Sequence, residues 1–87
     1  MAEPHGEEIG RIVRFFAQPL VAVVELTASV QIGDVIRIKG HTTDLQQTVE
    51  SLEMDHAKVQ EACAGASVAL KVNDRCRTHD IVYKLVQ

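Results

Sequence analysis

Cysteine and histidine are the side chains through which this chain could bind a metal ion. Two cysteines and four histidines occur among its 87 residues, and Cys76 and His79 form the tightest pair, with C-x-x-H spacing. A structural zinc site usually takes its four ligands from two such pairs, and the sequence lacks the second pair. The sequence therefore predicts neither a metal site nor a cofactor.

The run GHTTD, residues 40–44, places a histidine beside two hydroxyls and a carboxylate. A small hydrolase could use His41 as the base and Thr42 or Thr43 as the nucleophile. A base must point at the hydroxyl that it activates, however, and neighbouring residues of one turn rarely do so. Glycine, threonine and aspartate are also ordinary turn residues. The sequence favours a turn here and predicts no catalytic residue and no enzymatic activity.

The two cysteines, Cys63 and Cys76, lie on either side of a predicted strand at residues 67–72. Six strand residues span roughly 20 Å, whereas a disulfide needs Cα atoms within about 7 Å. We therefore expect two free thiols, as is usual in a reducing compartment.

Charge and hydropathy limit the classes of partner. Charged residues make up 24% of the chain and the formal net charge is −3, which argues against a broad, sequence-independent grip on nucleic acid. Arg37, Lys39 and His41 share one face of a predicted strand, but this basic strip has no aromatic stacking platform beside it. No run of about 18 apolar residues exists, and the acidic start lacks the apolar core of a secretory signal. We expect no membrane partner and a cytoplasmic location.

Short β-branched runs with period-two alternation must position these side chains. They predict six strands, at residues 8–16, 20–27, 34–39, 46–56, 67–72 and 80–86. One short helix is expected at residues 58–64, ended by Gly65. Residues 1–7 are expected to form a flexible tail and residues 8–87 a single domain. The inward positions of the strands predict a core that includes Val24, Ile36, Ile38, Leu52, Val68 and Leu70.

One predicted strand, 46–56, changes phase along its length. Val49 has one parity while Leu52 and Met54 have the other. A β-bulge near residues 50–51 would bring all three to the core and would help the sheet to bend.

A turn followed by aspartate occurs twice, each time before a predicted strand. Gly33-Asp34 precedes the third strand and His79-Asp80 precedes the sixth. The aspartate can accept hydrogen bonds from nearby backbone amides, and glycine adopts a positive φ without cost. A positive φ costs a non-glycine residue on the order of 1 kcal/mol, so we expect the turn at His79 to be strained or to have another shape.

The order of several motifs resembles the second domain of elongation factor Tu and related translational GTPases, and most closely the free-standing translation elongation factor-like proteins. The matching runs are GRIV, AVVEL, QIGDVIRIKG, VESLEM, EACAGASVALKV and RTHDIVYK, between residues 8 and 86. The resemblance implies an all-β fold, a closed six-stranded Greek-key β-barrel. A similar barrel ends some collagenase-like peptidases. The phosphate-binding loop of GTPases has no counterpart in the sequence, so no GTP binding is expected.

In elongation factor Tu, this barrel helps to hold the aminoacylated 3′ end of transfer RNA on a loop that resembles residues 53–67. The resemblance therefore implies a ligand-binding site. Its residues are Glu53, His56, Val59, Gly65 and Ser67. The family's arginine and asparagine in this loop are His56 and Ser67 here.

The expected function is a non-catalytic binding module that contacts RNA, such as a transfer RNA acceptor end, or a ribosome-associated protein partner. The alternative is a protein-interaction or accessory barrel that acts with an enzyme such as a collagenase-like peptidase.

Overall fold

The computed structural model describes residues 6–18 and 20–85. These residues form ten short strands, and the described ranges contain no helix. The strands are β1 (Glu7–Phe16), β2 (Val21–Leu26), β3 (Val30–Gln31), β4 (Val35–Lys39), β5 (Asp44–Thr48), β6 (Leu52–Met54), β7 (Ala57–Val59), β8 (Glu61–Ala62), β9 (Ser67–Lys71) and β10 (Ile81–Lys84). The predicted all-β class is confirmed.

Eight of the strands form one curled, antiparallel sheet in the order β5-β4-β10-β1-β2-β9-β6-β7, a half-barrel with β5 and β7 at its edges. The remaining two, β3 and β8, pair separately and pack Val30 and Ala62 into the core. The prediction of a closed six-stranded barrel is therefore wrong. The cause lies in the predicted strand 46–56, which divides into β5 and β6 around residues 49–51, where a bulge was expected.

After this break, β5 pairs with β4, whereas β6 pairs with β7 and β9. The gap between β5 and the end of β9 is bridged by one side chain, that of the buried Gln47. Its amide nitrogen donates to the Lys71 carbonyl at 2.9 Å, and its amide oxygen accepts the Asn73 N–H at 2.7 Å. A side-chain amide thus takes the place of a backbone ladder at this seam.

The core is aliphatic, as the composition requires. The six predicted core residues are all buried: Val24, Ile36, Ile38, Leu52, Val68 and Leu70. Val49 and Leu52 are both buried as well, because the irregular segment between β5 and β6 corrects their phase.

The helix predicted at residues 58–64 is absent, and β7 and β8 occupy that range. Asp55 and His56 have φ values of 55° and 65°, as in the two-residue type I′ turn of a β-hairpin. The chain therefore folds back at once and pairs residues 57–59 with β6. A seven-residue helix has little stability of its own, so strand pairing prevails.

The first aspartate turn precedes β4. Asp34 accepts the Gln31 N–H on its carboxylate at 3.0 Å, and Gly33 has a φ of 98°. The turn docks on Val49 through two backbone bonds: Gly33 N–H donates to the Val49 carbonyl at 2.9 Å, and Val49 N–H donates to the Asp34 carbonyl at 2.8 Å.

The second turn, before β10, repeats each of these contacts. Asp80 accepts the Arg77 N–H at 2.8 Å, and His79 has a φ of 76°. His79 N–H donates to the Ile12 carbonyl at 2.7 Å, and Ile12 N–H donates to the Asp80 carbonyl at 2.8 Å. The two turns are thus structurally equivalent, and His79 adopts the positive φ instead of another turn shape. Their strands, β4 and β10, are neighbours in the sheet.

Five of the predicted strands match observed ones to within a few residues at each end, and residue 86 of the last lies outside the described residues. Of the predicted tail, residues 1–5 also lie outside the described residues, whereas Glu7 already belongs to β1.

Candidate functional site

The predicted ligand residues are distributed over both faces of the sheet. Glu53 is exposed on β6 and pairs with Lys58 and Ala69, so it lies on the outer face. Val59 pairs with the buried Leu52 and packs on the core, which places it on the opposite face.

The other three predicted residues lie in separate positions. His56 is exposed in the β6–β7 turn, and Gly65 lies in a turn where its N–H donates to the Leu26 carbonyl at 2.8 Å. Ser67 is exposed on β9 opposite Glu25, on the same outer face as Glu53. The structure therefore brings Glu53 and Ser67 onto one face but does not close the five residues around one pocket. Their role in binding stays a prediction.

Glu53 lines a cavity of about 210 Å³, but none of the other four predicted ligand residues belongs to its lining. Val21, Ser51, Ala69 and Lys71 belong to it. It is a shallow depression on the outer face of β2, β9 and β6, with one carboxylate and one ammonium group at its border.

A larger cavity, of about 390 Å³, lies where the end of β1, the turn at 40–43 and the segment 72–80 meet. We call it the arginine cleft. Its lining residues are Phe15, Ala17, Thr42, Thr43, Arg75, Cys76 and Arg77.

Local packing positions the two arginines of this cleft. Cys76 is buried in the core, so Arg75 and Arg77 on either side of it are directed outward and are exposed. The segment is fixed by Asp80, whose carboxylate accepts the Arg77 N–H. Gly40 permits this arrangement, because a Cβ at that position would overlap the Asp80 carboxylate.

The guanidinium groups of Arg75 and Arg77 make no ion pair or hydrogen bond with any described residue. Of the other three arginines, two have acidic partners: Arg37 binds Asp44 at 2.9 Å, and Arg11 lies 3.7 Å from Glu25. The hydrogen bond from Arg37 lowers the pKa of Asp44 below its usual value. This pair also offsets part of the predicted basic strip of Arg37, Lys39 and His41.

Two further groups of the cleft are buried. Burial, assisted by the carboxylates of Asp80 and Asp74, raises the pKa of the Cys76 thiol to about 11. The thiol is therefore neutral at pH 7 and does not counter the charge of the arginines. Thr43 is only 7% exposed, and its hydroxyl has no hydrogen bond to any described residue.

Within residues 6–18 and 20–85, no three histidine, cysteine or acidic side chains are grouped as metal ligands. His41, His56 and His79 are exposed, and Cys63 and Cys76 are free thiols. No helix of the described part has the length and apolar composition required to cross a membrane.

Arg75 and Arg77 were not identified from the sequence, and the hydroxyl of Thr43 was considered there only as a nucleophile for His41, not as part of a binding cleft. The alternation Arg-Cys-Arg was a usable signal, since a buried cysteine directs both neighbours outward. Thr43 carries no such signal, because its place beside this segment depends on the packing of residues more than thirty positions apart.

No model of a known protein family matches the chain. An uncharacterized protease of Methanocaldococcus jannaschii is 40% identical to it over 79 residues. The match covers 90% of this chain and 19% of the protease, so the chain spans about a fifth of the length of that relative.

Two crystal structures of one bacterial domain have the same fold. They are of the C-terminal domain of a Geobacillus thermoleovorans protein described as a U32 peptidase. The first has a TM-score of 0.86 at 17% identity, covering 92% of this chain and 93% of the domain. The selenomethionine variant has a TM-score of 0.85 at 17% identity, covering 90% and 99%. This similarity shows the fold.

The predicted relationship to translation elongation factors is therefore wrong. The sequence match is to a protease, and the fold matches a peptidase domain. The resemblance depended on short aliphatic strand motifs, two of them entered by aspartate turns, and such turns are a general way to begin a strand. The loop at 53–67, which was compared with the transfer RNA site, instead forms a tight hairpin and a further short strand.

Proposed function

We propose that this chain is a non-catalytic accessory domain that docks on a peptidase unit. The observation that carries the proposal is the match of nearly the whole chain to a minor part of a protease. The matched region is 79 residues long and leaves most of that protein outside it. The fold of a C-terminal domain from a protein described as a U32 peptidase supports the same role.

The chemistry of the domain agrees with binding better than with catalysis. Cys76, the nucleophile nearest to two cations, has a pKa of about 11 and is neutral at physiological pH. A thiol must be ionised to act as a nucleophile, and catalytic cysteines have lowered pKa values.

An apolar strip on the outer face of β1 and β2 offers a docking surface for the peptidase unit. Phe16 is 47% exposed and Val13 is 40% exposed. Phe16 pairs with the half-buried Val21, and Val23 lies on the same face. Large apolar side chains that remain exposed in a small domain are typical of a contact surface.

The test uses the Methanocaldococcus jannaschii protease with its matched region removed. We expect the present chain, added separately, to co-elute with the truncated protease in size-exclusion chromatography with light scattering. Phe16→Glu should weaken this complex at least tenfold, whereas Gln46→Glu, an exposed change on β5, should not. Separate elution at tens of micromolar would overturn the docking proposal. Cleavage of casein by the isolated chain would overturn the assignment of a non-catalytic role.

A further inference from the structure

We propose that the arginine cleft binds an acidic peptide segment and seats one carboxylate side chain between Arg75 and Arg77. This site is distinct from the apolar strip on β1 and β2. The inference concerns the isolated domain and does not require that it docks on a peptidase.

Two cationic side chains, those of Arg75 and Arg77, line the cleft. The two residues are two positions apart, on either side of the buried Cys76. Neither guanidinium has an acidic partner among the described residues, although Arg11 and Arg37 do. A guanidinium presents parallel N–H donors that match the two oxygens of a carboxylate. The spacing suits one carboxylate held from two sides.

A second feature of the cleft is the buried hydroxyl of Thr43. This residue is 7% exposed and lines the cleft, but its hydroxyl is not hydrogen-bonded to any residue that the structure describes. A buried polar group that lacks a hydrogen-bond partner is destabilising. A carboxylate oxygen bound in the cleft would accept a hydrogen bond from this hydroxyl. The lack of a partner for the Thr43 hydroxyl among the described residues is therefore consistent with a role in binding a ligand.

A third feature is the shape and polarity of the remaining wall. The cleft has a volume of about 390 Å³, enough for an acidic side chain and parts of the residues next to it. Phe15, which is half-buried, and Ala17 form an apolar side. An apolar residue beside the carboxylate would pack there.

The charges around the cleft favour a peptide over a nucleic acid. A polyphosphate chain needs several cations along its path and aromatic side chains for its bases. Here Asp74 directly precedes Arg75, Asp80 follows Arg77, and the net charge of the chain is −3. A single carboxylate between the arginines lies away from these acidic neighbours, whereas the successive phosphates of a nucleic acid would be repelled by them.

The test is a titration of the isotope-labelled domain, followed by NMR, with two blocked peptides. They are acetyl-Ala-Leu-Glu-Leu-Ala-amide and its glutamine counterpart. We expect the glutamate peptide to shift the amide signals of residues 42–43 and 75–77, and the glutamine peptide to bind at least tenfold more weakly. Arg75→Gln and Arg77→Gln should each weaken binding about tenfold, while Arg14→Gln, an exposed arginine outside the cleft, should not.

Thr43→Val separates binding from folding. Because the hydroxyl has no partner in the free domain, its removal should leave the free energy of unfolding unchanged or raise it, yet weaken binding of the glutamate peptide. Equal affinity for the two peptides, or signal shifts elsewhere on the domain, would overturn the proposal. Tighter binding of a six-nucleotide RNA than of the glutamate peptide at the same residues would also overturn it, in favour of a phosphate site.

Discussion

Cys76 combines a core position with an unfavourable place for a negative charge. Its thiol is buried, and Asp80 and Asp74 are close enough to raise its pKa further, to about 11 from an ordinary 9.0. The folded state therefore holds the thiol proton more tightly than the unfolded chain does.

This difference predicts how stability depends on pH at the alkaline end. Because the pKa is raised in the folded state, the stabilisation is complete below pH 9 and is lost as pH rises towards 11. We expect urea unfolding to show wild type losing more stability over this interval than Cys76→Ala, which lacks the titrating group. The two proteins share every other titratable group, so the difference between them reports Cys76. Parallel loss of stability in the two proteins would contradict this account.

At the scale of single elements, the seam between β5 and β9 depends on Gln47. Its amide accepts one backbone N–H and donates to one backbone carbonyl, and those two groups have few alternatives. Gln47→Ala should lower the free energy of unfolding by about 1–3 kcal/mol, since two hydrogen bonds are lost and each contributes roughly 0.5–1.5 kcal/mol.

The neighbouring residue provides a matched control. Gln46 is exposed on the same strand, and Gln46→Ala should change stability by no more than about 0.5 kcal/mol. Chemical denaturation of both variants measures the difference. Equal midpoints would mean that the seam does not depend on the Gln47 amide.

The equivalence of the two aspartate turns also makes a prediction. Gly33 and His79 occupy the same place, with φ values of 98° and 76°. Gly33→His should cost about 1 kcal/mol or more, since a side chain there is forced into the left-handed region. His79→Gly should be neutral or stabilising by under about 1 kcal/mol, because the relieved strain exceeds the added chain entropy only slightly. Thermal melting of both variants checks the pair, and a tolerated Gly33→His would show that the left-handed backbone at this position does not strain a side chain.

At the scale of the whole molecule, the sequence was sufficient to predict the features that depend on neighbouring residues, such as the buried faces of strands and the turns before them. Alternation identified the buried faces of Val24, Ile38 and Leu70, and the residues before β4 and β10 showed the aspartate turns. The run at 58–64 was wrongly predicted to be a helix. The turn before it has positive φ values at Asp55 and His56, and no glycine in the sequence indicates such a turn. The bridge made by Gln47 and the position of Thr43 beside Arg75 and Arg77 could not be predicted, since each brings together segments that are distant along the chain.

The resemblance to a translation factor failed for a related reason. Motifs such as QIGDVIRIKG record how a strand is entered and packed, and such solutions recur in folds with unrelated activities. The bridge made by Gln47 was not part of those motifs, and the compared loop at residues 53–67 contained the Asp55–His56 turn without a glycine to indicate it.

The pairing of β1 with β10 has a mechanical consequence. Glu7 lies opposite Lys84, so the chain enters and leaves the described fold side by side at one end of an antiparallel ladder. Antiparallel hydrogen bonds run perpendicular to their strands, and a pull on the two ends would load them one after another, as a zipper opens. If this domain connects two larger bodies, it should therefore unfold at low force when they are pulled apart. In optical tweezers, we expect handles at the two ends to unfold it at a much lower force than handles placed at opposite ends of β1 and β2.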